Sequence, residues 1–479
     1  MNAPLIFILL PAVFTPVLFA LQRYPRFNQI LAASAMLVLL LLAWRLPVNS
    51  PIFLGIPGVP ALVVSDSLFL LGRRFFIDDA LRPVLSLIYL ALNFWFIASF
   101  VTHIRPLYIP LCFGIGVLLV ASIAVDPPLY SALFIVLAAL FSIPLFSPPG
   151  TPISNSALRL LIFEVLGMGL FLFADWYLSS IQNDDVLINQ LPVAIALLGL
   201  GLAFMAGVFP FHTWIPMIAG SSAPLAASFA IFFIPLAASI TGLRYLFAFS
   251  SFQPFFDFQP ALRLVGILMV VAGGTWAVME RHLGRIMAFA MLVQVGSWLL
   301  AFTLINQSVL RVPLAGLFYS MLIPQSLALV TWAISLDIYY QVESGDLPEN
   351  LHLGSVHGMA HRYPLLAAGL LVPNLSLAGL PLLANFPYLF VLSAEIAKTS
   401  LLFASLYWIG HTGLVIAGLR TMAVITRESQ DRVWKVSERR HQVIWLVLFM
   451  LAIFLLGILP QWRWIGQSGP SIISGLPIP

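Results

Sequence analysis

Phe204-Met205-Ala206-Gly207-Val208-Phe209-Pro210-Phe211-His212-Thr213-Trp214-Ile215-Pro216 is the stretch that decides the fold. An apolar run that begins near residue 190 reaches it and is cut by two prolines, with a glycine ahead of them and a histidine between. Proline removes a backbone donor and clashes with the preceding turn, so a helix does not pass through such a segment intact. A second run is cut in the same manner, at Pro373-Asn374, Gly379-Leu380-Pro381 and Pro387. Either break taken alone reads equally as a proline kink. Two breaks about five helices apart point to a repeated unit with an ion path where its halves meet.

The surroundings of these breaks are lipid-soluble. The chain has 479 residues, of which 61% are hydrophobic and 8% charged, and its mean hydropathy is +1.03. A soluble core has no use for so much apolar material. In lipid every backbone group must be satisfied internally, and the strand-like alternation of a barrel is absent, so helices carry the spans. Runs of about 20 apolar residues, the length that crosses a bilayer, fall at 4–22, 28–46, 83–102, 108–125, 128–148, 157–179, 190–210, 223–248, 261–279, 284–305, 312–336, 363–393, 400–425 and 442–460. The reading is an all-α polytopic membrane protein with about 14 transmembrane helices. Met1 to Leu21 lacks a basic leading segment and is expected to stay as the first span. Pro127-Pro128 and Pro148-Pro149-Gly150 bracket the fifth run, and Gln182 to Asp185 follow the sixth. Asp337 to Arg362 form the longest polar loop, and Arg427 to His441 the most charged one.

An even number of spans puts both termini on one side. One face collects Arg23, Arg26, Arg105, Arg159, Arg281, Arg285, Arg362, Arg420, Arg427, Arg432, Lys435, Arg439 and Arg440. The other collects Arg45, Arg73, Arg74, Arg82, Arg244, Arg263, Arg311, Lys398 and Arg463. The bias of 13 to 9 places both termini on the non-cytoplasmic side of an inner or plasma membrane by the positive-inside rule. The net charge of +4 belongs to that topology and implies no nucleic acid. Cys112, the one cysteine, sits in an apolar run and reads as packing. No nucleotide loop, cysteine cluster or haem motif is present, so no cofactor is expected in this chain.

In order along the chain, several motifs carry a resemblance. Pro210-Phe211-His212-Thr213-Trp214-Ile215-Pro216 followed by Ala223-Pro224 resembles the seventh-helix motif of the antiporter-like subunits of respiratory complex I. That family includes subunits of multisubunit sodium/proton antiporters and membrane-bound hydrogenases. Glu280-Arg281-His282-Leu283-Gly284-Arg285-Ile286-Met287-Ala288-Phe289, with Gln294 and Gly296, is similar to the segment opening its tenth helix. Leu377-Ala378-Gly379-Leu380-Pro381 resembles its twelfth-helix break, and Gly457-Ile458-Leu459-Pro460 the close of its fourteenth. Phe76-Ile77-Asp78 and Asp126 fit weaker motifs. The resemblance implies two inverted five-helix repeats with broken helices 7 and 12. It divides the chain into helices 1–3 (1–107), a first repeat (108–250), a second repeat (251–426) and a charged loop with helix 14 (427–479). It also implies a buried row of lysines, a glutamate and histidines that relays protons across the membrane centre.

This chain departs from that pattern in the relay. Its lysines are Lys398 and Lys435 only. The family's seventh-helix lysine aligns with Met205, its fifth-helix glutamate with Ala139 or Ala138, its eighth-helix lysine or histidine with Ile234-Pro235, and its twelfth-helix lysine or glutamate with Leu389. The eleventh-helix histidine and lysine fall around Ser320 and Pro324-Gln325. Glu164 is a surviving proton-carrying carboxylate or a neighbour of Arg159 near the interface. Asp175 reads as interfacial. His212 is a proton shuttle or a structural hydrogen-bonding group, and Gln294 is a helix–helix hydrogen-bonding residue or a relay member. Glu280, Arg281, His282 and Arg285 form a cytoplasmic polar cluster, serving as an entry or docking site or as a positive anchor. Glu395 and Lys398, three apart, can pair. His352, His357 and His361 do not by their spacing make a metal site.

The expected function is an antiporter-like membrane-arm subunit of a complex-I-type NADH or ferredoxin:quinone oxidoreductase, non-catalytic itself and degenerate in its own channel. Its partners would be other membrane-arm subunits and the lipid bilayer. The rivals are a subunit of a sodium/proton antiporter or hydrogenase, a membrane scaffold binding a soluble partner through its two polar loops, and an unrelated secondary transporter.

Overall fold

The computed structural model describes residues 2–52, 62–70, 72–102, 104–147, 150–183, 190–248, 258–304, 315–343, 351–427, 436 and 438–459. Pro148-Pro149, the middle of each long polar loop and Pro460 lie outside the described residues. In chain order the helices are α1 (Leu10–Ala20), α2 (Pro25–Arg45), α3 (Leu81–Ala98), α4 (Tyr108–Ala124), α5 (Ser131–Phe146), α6 (Asn155–Asn183), α7 (Leu191–Met205), α8 (Trp214–Ser221), α9 (Pro224–Ala248), α10 (Gln259–Met279), α11 (Leu283–Thr303), α12 (Ala315–Glu343), α13 (Met359–Arg362), α14 (Pro364–Leu377), α15 (Phe386–Thr399), α16 (Leu401–Thr426) and α17 (Arg440–Ile458). Among the described residues 11 stretches are long and apolar enough to span a membrane, and three shorter apolar helices, α4, α7 and α14, complete the runs read from the sequence. The chain is an integral, multi-pass membrane protein.

Local chemistry sets the helix starts. Proline stands in the first turn of α2, α7, α10 and α14, where its missing N–H costs nothing. Ser400 caps α16 by accepting the Phe403 N–H at 3.4 Å. Burial separates the helices into an inner and an outer set. The spanning windows of α9 and α11 are 100% buried and that of α12 89%, whereas those of α6 and α17 are 33% and 28% buried. The inner three are therefore enclosed by the rest of the chain, α12 almost completely, and the outer ones carry an exposed apolar face.

Two elements differ from the sequence reading. Two short antiparallel sheets lie outside the helices: β1 (Pro51–Ile52) pairs with β2 (Leu62–Val63), and β4 (Arg73–Phe76) pairs with both β3 (Ser67–Leu70) and β5 (Val125–Asp126). Gly72, at φ +74°, supplies the left-handed turn residue. Strands of two to four residues carry too little signal to stand out in so apolar a chain. The polar loop also begins later than Asp337. The helix α12 continues to Glu343, and Asp337 is 3% exposed within it.

Alternate spans run in opposite directions. As the fourth and eighth spans, α4 and α9 end at one membrane face; as the ninth and thirteenth, α10 and α16 end at the other.

Candidate functional site

The two helix breaks are built alike. After α7, Gly207 takes φ +64°, and after α14, Gly379 takes φ +80°. In the first break the Val208 N–H returns to Ala203 O (2.8 Å) and the Gly207 N–H to Phe204 O (3.3 Å). In the second, the Leu380 N–H returns to Leu375 O and the Gly379 N–H to Ser376 O, both at 3.0 Å. Both are Schellman closures, which satisfy the last carbonyls of a helix that stops inside the membrane. A β-carbon on Gly207 would stand 2.7 Å from Ile215 Cδ1 and 3.1 Å from Trp214 Nε1, so glycine is required there by conformation and by space.

An arginine fastens the first and last helices of each five-helix set. Arg244 of α9 donates from Nη2 to Val125 O (2.8 Å) and from Nη1 to Ser122 O (3.3 Å) and Ser131 Oγ (3.4 Å), closing the C-terminal end of α4. Arg420 of α16 donates from its two Nη atoms to Val278 O and Glu280 O, closing the end of α10. A guanidinium suits a helix C-terminus through its forked donors and its charge. The two clasps lie at opposite membrane faces, as inverted repeats require. Sequence reading had counted both arginines only as topology markers.

At the positions where the resemblance places a relay, the structure is apolar. Met205 is 1% exposed, Ala139 and Leu389 are fully buried, and Pro235 is buried within α9. Met205 lies against the backbone of α6: a β-carbon on Gly167 would be 2.6 Å from Met205 Cγ. One turn before Gly167 stands Glu164, fully buried, with neither carboxyl oxygen hydrogen-bonded. Arg159 does not serve it, since its Nη1 donates to Thr213 Oγ1 at 3.3 Å. The Ser156–Ser221 hydroxyl contact at 2.8 Å ties α6 to α8. Counting from it at 1.5 Å per residue, Glu164 lies about 12 Å along α6 and Trp214 roughly 10.5 Å along α8, at one depth. The Trp214 Nε1 is also unpartnered. His212 is 7% exposed, stacks on Trp276 (4.8 Å) and Phe209 (5.6 Å), and keeps a free Nδ1.

An ammonium introduced at residue 205 would be buried beside a lone carboxyl. A buried charge is costly without a partner and tolerable with one. Met205→Lys is therefore expected to destabilise the chain less with Glu164 present than in a Glu164→Leu background. A double-mutant cycle of thermal unfolding should give a favourable coupling of ~0.5–3 kcal/mol; zero coupling would separate the two side chains.

The second set has a neutral network in place of charges. Gln294 of α11 donates to Leu377 O (2.9 Å), the last carbonyl of α14. Gln325 of α12 donates to Gln294 Oε1 (2.8 Å) and accepts from Trp298 Nε1 (2.7 Å). Asn385, opening α15, donates to Ser376 Oγ (3.0 Å) and Pro324 O (3.4 Å). Amides can donate and accept at once but do not titrate. The network seals the second break and brings α11, α12, α14 and α15 together.

The polar cluster does assemble. Glu280 Oε1 accepts the Arg281 and His282 N–H groups (2.8 and 3.0 Å), and its Oε2 is 3.8 Å from Arg285 Nη1. His282 meets His352 edge to face at 5.4 Å, beside backbone bonds from Leu283 to Leu351 and from Leu353 to Arg281. Arg281, His282 and Arg285 are thus brought together with the polar loop. Elsewhere, Glu395 and Lys398 form a 2.5 Å pair at the surface, and Asp175 accepts from Tyr245 OH at 2.7 Å. Among the described residues no group of three metal-binding side chains converges.

Two buried ionisable residues escaped the sequence reading. Asp337, within α12, is 3% exposed and accepts from Gln341 Nε2 at 2.7 Å. His411, in the middle of α16, is fully buried. No motif flanks either of them. A regular spacing from the breaks would have been the only pointer, and the internal repeat is not visible in the amino acids.

Broken helices in mirrored places and arginine clasps at the ends of both five-helix sets define an antiporter-like membrane subunit. Residues 129–416 match the family described as NADH:quinone oxidoreductase/Mrp antiporter, TM. That is more than half of the chain, and the protein belongs to this family. Among its relatives, NADH-quinone oxidoreductase subunit N of Parafrankia sp. is 32% identical over 211 residues, 43% of this chain and 36% of that protein. Subunit 14 of Thermus thermophilus is 28% identical over 48% of this chain and 46% of its own length. Subunit N of Pelagibacter ubique is 25% identical over 64% and 65%. The matched part therefore spans less than two thirds of each of these relatives. Solved structures share the fold over almost all of the chain. The membrane-bound sulfane sulfur reductase, an archaeal respiratory membrane complex, gives a TM-score of 0.76 at 16% identity, covering 98% of this chain and 97% of that one. The Mrp complex from Dietzia sp. gives 0.76 at 15% identity, covering 98% and 97%. Respiratory complex I from Thermus thermophilus gives 0.71 at 20% identity, covering 99% of both chains.

Proposed function

We propose that this chain is a membrane-arm subunit of a complex-I-type quinone oxidoreductase, packed between other membrane subunits, and that its own first half-channel is silent. The relatives named as NADH-quinone oxidoreductase subunits support the assembly. One observation carries the silent channel: Met205, at the relay position, is an apolar side chain fitted against the Gly167 backbone. A proton relay in lipid needs ionisable groups that face water or one another, and Ala139, Pro235 and Leu389 offer none. On this reading the subunit keeps the frame, transmits movement along the arm and adds no proton of its own from the first repeat. Both termini stand on the non-cytoplasmic side.

The test uses the native assembly in proteoliposomes. Glu164→Gln and His212→Gln are each expected to leave the number of protons moved per electron at the wild-type value. A fall in that ratio with electron transfer intact would show the first repeat conducting and overturn the reading.

A further inference from the structure

The imidazole of His411 is held in one tautomer. Its Nδ1 lies 3.0 Å from Tyr407 O. A carbonyl oxygen only accepts, so Nδ1 carries the proton, and Nε2 is left with a lone pair. That Nε2 is buried and has no partner. A second acceptor shares its predicament two turns along: Asn374 Oδ1 is buried and unpartnered, and it faces Gly418 of α16, where a β-carbon would stand 3.3 Å from it. His411 and Gly418, seven residues apart, lie on one helix face. His411 Nε2 and Asn374 Oδ1 are each an acceptor open to a hydrogen-bond donor, and at 1.5 Å per residue the two lie about 10 Å apart along α16. An anion is excluded, and a bare metal cation lacks further ligands.

The ring also borders the neutral network. Tyr407, whose ring is 4.4 Å from that of His411, places its hydroxyl 3.5 Å from Ser297 Oγ. Ser297 lies one turn from Gln294 on α11, so the seam continues to the break at Leu377. Charged neighbours are remote. Measured from the contacts of each helix with α16, Arg263 of α10, Arg285 of α11, His361 and Arg362 of α13, Lys398 of α15 and Arg420 of α16 itself are each more than ~10 Å away in depth, and Glu395 of α15 is about 9 Å away. The helix α14 carries no charge.

We infer that His411 Nε2 is a proton-binding site, open to a hydrogen-bond donor on the helix face that it shares with Gly418. None of the motif positions lies on α16, so the site is separate from the lost relay. It is one proton on one nitrogen: an N–H bond forms at Nε2, a hydronium ion gives up the proton and leaves as neutral water, and the ring becomes imidazolium. Its role in an assembly rests on the proposed function, but its existence does not. The test is nitrogen NMR of the full chain, labelled with ¹⁵N-histidine, in lipid nanodiscs. The eight histidines make the resonances of His411 assignable by their loss in His411→Gln, or in His411→Asn if that variant does not fold. The expected result is an Nδ1–H tautomer whose Nε2 signal moves toward the protonated position as the bath goes from ~pH 8 to ~pH 4. An Nε2–H tautomer, or an Nε2 signal unchanged across that range, would overturn the inference. Failure of the native assembly to oxidise NADH or ferredoxin would instead count against the proposed function and leave this result standing.

Discussion

Gly274→Val is expected to prevent stable packing of α10 against α16. A β-carbon at Gly274 lands on Gly410 O, one at Gly413 would stand 2.5 Å from Gly274 O, and one at Gly410 would stand 2.5 Å from Val270 Cγ1. The obstacles are largely backbone atoms, which have no rotamer to change. Between helices in lipid there is little hydrophobic drive, and close approach through small residues supplies the attraction. Valine would force the helices apart and forfeit dispersion along the seam. The cost should reach or exceed the ~3 kcal/mol upper end of ordinary overpacking. Thermal unfolding of the purified chain measures it, with Gly169→Ala as the control. That residue has nothing within 4 Å of the added carbon, so its unfolding temperature should hold or rise slightly.

Arg244→Gln is the second large effect. The guanidinium spans the end of α4 with charge-assisted bonds to Val125 O and Ser122 O. Each such bond contributes about 1.5–3 kcal/mol, and the carbonyls left behind have no water to turn to. The expected loss is ~3–5 kcal/mol, with Arg244→Lys recovering part of it, because an ammonium is a point donor that cannot bridge both carbonyls. Hydrogen exchange adds a local signature. Arg244→Gln should raise exchange at the end of α4 and leave the end of α10 protected; Arg420→Gln should do the reverse. Equal loosening at both ends in either variant would argue against separate clasps.

Much of this frame is legible in the amino acids, because the bilayer imposes it. Length and apolarity alone place the spans, and proline with glycine marks both breaks. The scarcity of lysine, with Lys398 and Lys435 alone in 479 residues, is legible too, since a missing charge is visible without coordinates. The surviving polar groups are less so. Glu164 could be located but not paired, because the neighbour offered by sequence, Arg159, turns instead to Thr213. Arg244 and Arg420 look like ordinary interfacial cations, and only the superposed helix ends reveal them as clasps. Asp337 resembled the first residue of a loop because a carboxylate commonly ends a span; its burial within α12, where it accepts from Gln341, depends on neighbouring helices that no local pattern encodes. His411 was hidden for the same reason: its character comes from Tyr407 O and from a nitrogen with no partner, and neither is a property of spacing.

The most direct measurement is mass spectrometry of the gently solubilised native complex containing this chain. The account predicts co-purification with flavin- and iron–sulfur-bearing chains of a quinone oxidoreductase alongside further membrane subunits. Recovery with a set of small membrane subunits alone, or with a nickel hydrogenase, would contradict it.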